Sequence, residues 1–531
     1  MLLSTNFTPL LIGCLVSLWI ARTYWQYRRV VKSVGGAPGP RTYFTPGTLF
    51  ARLLPEIPGI NRKLSWIWRT KYSGLQYYGQ DIIASINFHP KVAAFVQISD
   101  PKATKEITFH RSAFPKPVHF YTAFAYYGAN TLTTEGDEWR AHHKVVAKSF
   151  TEQNNKLVWK ETVDVTLELF SLWEMEGRGD EVSIADISEL TRDIALMVIS
   201  AAAFGMKTGW KDEDTPPLGH VMTFKKSLHT VSIGFLTRAI LPNWILGLYA
   251  QGRDIRTAYT ELGVYMREMI DNRITSPHQY EDLFSNLLRA REDEKDGEST
   301  FDDSSLMGNI FIMLFAGHET SANTLALALA FIAMYPEVQE RFLAQIRQCV
   351  SPGQLPTYSD ISKLSYGTAI MQETLRLIPI VPLIPKSSAY DTQFTTNDIN
   401  GEARQVLVPA GTPMGINVIG LHYNPKYWDN PYEFRPERFL QEYEKFAWLP
   451  FSAGPRACIG RRFAEIEILA VLTLIVLNYE ISVPDEPRFG SESLEEKKAR
   501  VLDAERTTLL MRAKKTPLKL RRRALSSNYP S

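Results

Sequence analysis

The chain has 531 residues, 45% of them hydrophobic and 22% charged, with a formal net charge of +2 at pH 7. These values exclude a disordered chain and a general attraction to nucleic acid, and they leave ample apolar material for a large core. Three cysteines, Cys14, Cys349 and Cys458, lie far apart with no C-x-x-C pair, which argues against a disulfide framework or a zinc site.

Phe7 to Trp25 carries one charge, Arg22, and is long enough at ~1.5 Å per residue to cross most of a bilayer. Arg22 sits near its end, where it can snorkel. Arg22, Arg28, Arg29 and Lys32 follow the apolar run and no basic residue precedes it. The positive-inside rule therefore expects a short lumenal segment 1–6, a transmembrane anchor 7–25 and a cytosolic body. Neither a positive start nor a small-residue cleavage site is present, so a retained anchor is expected rather than a cleaved signal peptide. Asn6-Phe7-Thr8 is formally a glycosylation acceptor that abuts the membrane.

Residues 26–45, basic and then rich in Pro and Gly at 35–40, read as a stiff non-helical linker. One body, 46–512, follows, and residues 513–531 read as a basic tail whose segment Lys514 to Arg523 is solvated or rests on acidic lipid. Within the body the residues from about 85 to 98 predict a short hairpin. Apolar residues at three and four spacing predict helices over Glu161–Trp173, Ile184–Phe204, Thr257–Arg273 and Met334–Gln348. Short strands reappear near Val406–Val418 and from Glu480 to Thr507–Met511. The fold class is mainly α with minor β, in one large domain without internal repeats.

Ser304 to Tyr335 predicts one continuous helix, capped by Asp302 or Asp303, stopped at Pro336 and apolar on nearly all sides. Its middle is interrupted by Ala316-Gly317-His318-Glu319-Thr320-Ser321. Glycine there costs roughly 1 kcal/mol relative to alanine, and a buried carboxylate costs more unless partnered. The plain reading is a polar patch on a bent helix. The functional reading is a groove, in which Gly317 lets a ligand lie against the helix while Thr320 and Glu319 deliver protons.

Downstream, Glu373 and Arg376 stand three residues apart on one helical face, and Phe434-Arg435-Pro436-Glu437-Arg438-Phe439 adds a second arginine. Phe451-Ser452-Ala453-Gly454-Pro455-Arg456-Ala457-Cys458-Ile459-Gly460 then surrounds one cysteine with what a metal-bound thiolate needs. Gly454 permits a turn that a β-carbon obstructs, and Gly460 lets the next helix approach a flat cofactor. Arg456 offers a charge-assisted hydrogen bond to a carboxylate, and Phe451 shields the sulfur. Cys458 precedes the apolar segment Ile459–Val476, whose helical N-terminus favours a thiolate.

The spacing F-x-x-G-x-R-x-C-x-G resembles the cysteine-ligand loop of the cytochrome P450 family, and Ala316 to Ser321 matches that family's oxygen-activation motif. The resemblance spans nearly the whole chain. It implies a cytochrome P450-type helical domain with small sheets behind an anchor, and haem b bound through Cys458, whose thiolate favours O–O cleavage. By the same resemblance Arg456, Lys386, Trp139 and a basic residue four positions later hold the haem propionates. That later residue is His143 rather than arginine, which leaves His143 and Lys144 as alternatives. Phe451, Gly454, Gly460, Ala316 and Gly317 line the cofactor, Thr320 and Glu319 are the catalytic pair, and Glu373, Arg376 and Arg438 form a buried network behind it.

The resemblance further implies a microsomal monooxygenase of the endoplasmic reticulum membrane that takes electrons from NADPH through a separate NADPH-cytochrome P450 reductase, with cytochrome b5 as an accessory partner. No GxGxxG fingerprint is present to bind a nicotinamide cofactor in the chain itself. Basic residues Lys144, Lys148, Arg461 and Arg462 are the expected partner face. The substrate expected is an apolar small molecule, a terpenoid or other specialised metabolite as in similar fungal members, with O2 as co-substrate. A fatty acid or xenobiotic hydroxylase, a haem-thiolate isomerase or dehydratase, and a non-catalytic membrane protein are the other readings.

Overall fold

The computed structural model describes residues 7–211, 215–275, 282–294, 301–351, 353–398, 400–506 and 510–523. Segment 1–6 with Asn6, and Thr507 of the expected final strand, lie outside the described residues. The strands are β1 (Arg41–Phe44), β2 (Ile82–His89), β3 (Ala93–Ile98), β4 (Glu181–Ile184), β5 (Leu383–Ser387), β6 (Thr392–Asn397), β7 (Ala403–Val408), β8 (Pro413–Asn417), β9 (Tyr479–Ser482), β10 (Ala504–Arg506), β11 (Met511–Ala513) and β12 (Leu518–Arg522). The helices that carry the argument are α1 (Phe7–Ser33), α2 (Gly136–Lys148), α3 (Glu152–Met175), α4 (Ile187–Phe204), α5 (Phe224–Ile240), α6 (Ala250–Thr275), α7 (Asp303–Met334), α8 (Ser365–Leu377) and α9 (Arg461–Asn478). The architecture is mainly α with small sheets, as the hydrophobic periodicity indicates.

The chain divides into two compact units. The first comprises Met1–Pro117, Val381–Tyr432 and Glu444–Ala457. Its five-stranded sheet has the order β1-β2-β3-β8-β5. β2 and β3 form the expected antiparallel hairpin, with Ser85 opposite Phe95. Alternation along the strands turns Ile82, Ala84, Ile86, Val96, Ile98, Met414 and Ile416 into the core.

The linker expected over 26–45 is instead part of this unit. α1 continues to Ser33 because Tyr27, Val30 and Val31 find the sheet's apolar face, and Tyr27 stacks on Phe88 with ring centroids 5.4 Å apart. Val34 and Ala37 are buried, and the carbonyls of Pro38 and Pro40 accept from the amides of Ala84 and Ile86. Proline removes a donor but not an acceptor, so a Pro-rich strand can still serve a sheet edge. The N-terminal half of α1, Leu10 to Ile20, is exposed. Among the described residues no single helix is long and apolar enough to cross a membrane.

The second unit comprises Val118–Ile380, Glu433–Tyr443 and Cys458–Ser531. α7 runs through it, apolar and mostly buried, with α4 and α9 packed against it. The Asp302 carboxylate caps α7 by accepting from the Ser305 amide at 2.7 Å, and the helix ends before Pro336. α3 begins at Glu152, earlier than its periodicity indicates, because Thr151 supplies an N-cap.

The solvated basic tail is also corrected. β12 is the middle strand of a three-stranded sheet, β4-β12-β9. Leu518 and Leu520 alternate into the core while Lys519 pairs with Glu181, Arg521 with Glu480 and Arg523 with Glu340. The charge run is one face of a strand, not a free segment.

Candidate active site

The interruption in α7 opens an accessible strip on a helix that is otherwise enclosed. Ala316 is exposed, and Phe315, Gly317, Glu319 and Thr320 are partly so, between mostly buried turns on either side. The helix stays continuous. Thr320 Oγ1 donates to the Ala316 carbonyl at 2.9 Å, and Asn323 Nδ2 donates to the Glu319 carbonyl at 2.7 Å. With its hydrogen committed, the Thr320 hydroxyl presents acceptor lone pairs toward the strip.

Gly317 serves a different purpose from the one its sequence suggests. A Cβ there would lie 2.2 Å from Ile199 Cδ1, so the glycine admits α4 against α7. The residue that leaves room at the strip is Ala316.

Glu319 belongs to a cluster that no motif announces. Arg192 Nε on α4 lies 3.8 Å from its carboxylate and His318 Nε2 lies 3.7 Å away. His318 Nδ1 is 2.7 Å from the Leu314 carbonyl, which assigns the ring proton to Nδ1. Burial holds the His318 pKa below that of free histidine, against the opposing pull of Glu319. His229 on α5 is lowered likewise, first by burial and then by the Arg192 charge. Arg192 and His229 come from elements remote in sequence, so only the packing of α4 and α5 on α7 reveals them.

Cys458 stands just before α9. The residue is exposed, yet protein crowds its thiol. That crowding raises the thiol pKa, while the Gly460 amide bonding to sulfur and the Arg461 charge oppose the rise. A Cβ at Gly460 would meet nothing within 4 Å. Farther along α9 the buried Glu467 accepts from the Ser321 hydroxyl of α7.

Trp139 is buried on α2 and lies tilted against His143 at 4.8 Å between ring centroids. The neighbouring His142 points into the core, where Asn309 Nδ2 donates to its Nδ1 at 2.8 Å. Glu373 and Arg376 on α8 have no exposed surface. Arg376 reaches Glu373 through Nε at 2.6 Å and Nη2 at 2.8 Å, and Arg438 Nε reaches the same carboxylate at 3.3 Å. The Arg435 amide also donates to Glu373, and Arg376 Nη2 to the Glu433 carbonyl. The network thus ties α8 to the segment 433–438. Burial lowers the Arg438 pKa, partly offset by Glu373.

The first unit holds the remaining sequence-derived residues. Gly454 has φ +68, and a Cβ there would lie 2.3 Å from the Thr108 carbonyl oxygen, so both conformation and space require glycine. Phe451 lies edge-on to Trp448 at 6.1 Å. Arg456 is half-buried, and Lys386 is buried in β5 opposite Met414.

These residues fit a haem. Among the described residues no group of three His, Cys, Asp or Glu side chains could cage a bare ion. In the second unit Cys458 offers a single sulfur suited to a metal that brings its own equatorial ligands, with His143 as a basic group suited to a propionate; in the first unit Lys386 and Arg456 are basic groups of the same kind.

The sequence profile of the cytochrome P450 family matches residues 72–503. The chain is 42% identical over 516 residues to cytochrome P450 monooxygenase 124 of Postia placenta, covering 96% of this chain and 98% of that protein. Cytochrome P450 monooxygenase prx9 of Penicillium rubens is 27% identical over 463 residues, covering 79% and 78%. The crystal structure of the cytochrome P450DA heme domain superposes with a TM-score of 0.73 at 20% identity, over 93% of this chain and 99% of that one, and shares the fold. With the profile spanning both the α7 strip and the Cys458 loop, the chain belongs to the cytochrome P450 family and is a cytochrome P450 monooxygenase.

Proposed function

We propose that this monooxygenase hydroxylates an apolar small molecule, a terpenoid or related specialised metabolite, at the cytosolic face of the endoplasmic reticulum membrane. The observation that carries the reading is the wall beside the α7 strip. Phe315 adjoins Ala316 and meets Phe124 and Phe235 with ring centroids 5.6 and 5.1 Å apart. Ile312 completes this apolar surface. Such a wall orients a hydrocarbon and excludes water.

Bound haem supplies reductive activation of O2, so that one oxygen atom enters the substrate C–H bond and the other leaves as water while NADPH is oxidised. Cys458 would hold the iron. Glu319 takes protons from the side where partly exposed Arg192 meets solvent. Thr320 presents its hydroxyl at the strip, where it positions the proton at oxygen and keeps water ordered.

Electrons come from a separate NADPH-cytochrome P450 reductase, with cytochrome b5 as accessory donor. Lys144 and Lys148 are exposed on α2 and suit an acidic partner. Arg461 and Arg462 both ion-pair with Glu465. The exposed apolar start of α1 supports a membrane anchor.

The test is the carbon monoxide difference spectrum of the dithionite-reduced chain in microsomes, followed by a reductase-coupled screen of terpenoids against fatty acids. A strongly red-shifted Soret band with terpenoid hydroxylation is expected. A histidine-like band rejects the site, and turnover restricted to fatty acids rejects the substrate class.

A further inference from the structure

Resting on that reading, we propose that the substrate carries a carboxylate and that Arg238 holds it at the mouth of an aromatic cavity. The cavity, about 240 Å³, lies between the segment 122–126, α5 and α6, and is lined by Tyr126, Phe235, Arg238 and Tyr259 together with small residues. Among the described residues Arg238 is its only charged lining residue. The guanidinium is half-buried and lies over the Tyr126 ring at 5.0 Å, and among the described residues it has no carboxylate partner. Tyr126 in turn packs on Tyr259 at 4.7 Å.

The Arg238 charge acts on Tyr259, and Arg267 and Arg238 both act on the neighbouring Tyr127. A cation on an aromatic surface keeps its hydrogen-bonding fork free in the ring plane, so it can take a carboxylate bidentately. The exposed Ile240 and Trp244 lie beyond it at the end of α5 and in the next turn, apolar neighbours suited to an amphiphile.

Phe235 is shared between the lining of the cavity and the apolar wall beside the reaction strip. Phe235 stands one helical turn from Arg238 on the same face of α5, packs on Phe124 at 4.3 Å, and meets Phe315 beside Ala316. A molecule anchored by its acid group at Arg238 therefore extends its apolar body past Phe235 and Phe315 toward Thr320. The anchor sets which carbon is presented.

The test is calorimetric titration of the purified, haem-loaded full-length chain with two matched pairs: dodecanoate against methyl dodecanoate, and abietate against methyl abietate. An acid binding about tenfold or more tightly than its ester is expected, with the preference abolished in Arg238→Gln and partly retained in Arg238→Lys. The advantage of the acid should also fall as salt is raised. Equal affinities for acid and ester in both pairs with the wild-type chain, or a preference that survives Arg238→Gln, overturns the proposal. The carbon monoxide spectrum of the same preparations reads the haem-thiolate site independently. A normal band without acid preference leaves the monooxygenase reading standing and removes only the anchor.

Discussion

The Ser321 hydroxyl of α7 donates to the carboxyl of Glu467 on α9, which is enclosed and has an oxygen, Oε1, without a partner among the described residues. Burial pushes the Glu467 pKa up to about 8, and the Ser321 bond only partly opposes this. The folded chain therefore keeps this proton where the unfolded chain, with an ordinary glutamate near 4.5, has lost it. Stability falls as pH rises between those two values and then levels off. Glu467→Gln, an isostere of the neutral acid, should remove this slope. Melting temperatures at pH 5 and pH 8 should diverge less in the variant than in the wild type, and equal divergence would show that Glu467 is ionised in the folded state.

Thr320→Ala removes the one hydroxyl on the accessible strip while its neighbours keep the helix continuous. NADPH consumption should persist, with product formed per NADPH reduced several-fold and peroxide rising to match. The ratio of product to NADPH, measured on a turned-over substrate, checks this, and an unchanged ratio places proton control elsewhere.

Breaking the Glu373 network leaves a buried charge without its partner, which typically costs about 3–5 kcal/mol. Glu373→Gln strands both Arg376 and Arg438 and should lower the yield of haem-loaded protein sharply. Arg438→Lys, which keeps a charge and one donor, should be milder. Haem absorbance per unit of folded protein distinguishes the two.

Leu520→Ala tests whether the C-terminal strand is part of the folded body. Leu520 is buried opposite Val182 and Ile481, so truncation should cost roughly 2–5 kcal/mol. Chemical denaturation of the chain reads that loss, and a wild-type midpoint would mean that the strand is dispensable.

Local sequence determined a good deal of this protein. A glycine that must be left-handed at Gly454, an unbroken apolar run ending at Pro336, and alternation at 82–98 are constraints that act over a few residues, and they are readable wherever they occur. The cysteine loop and the Ala316–Ser321 interruption belong to the same class, because ligand spacing and a costly polar insert in a core helix are local facts. Tertiary structure decided what depends on partners far along the chain. Whether residues 26–45 and 513–523 are linker and tail or strand and helix turned on the acceptors and acidic side chains that they meet, from Ala84 to Glu480. Gly317 faces Ile199 rather than a ligand, Glu319 meets Arg192, and Glu467 meets Ser321, because α4 and α9 pack on α7. A side chain's charge state and role follow from what surrounds it, and those surroundings are assembled only when the chain folds.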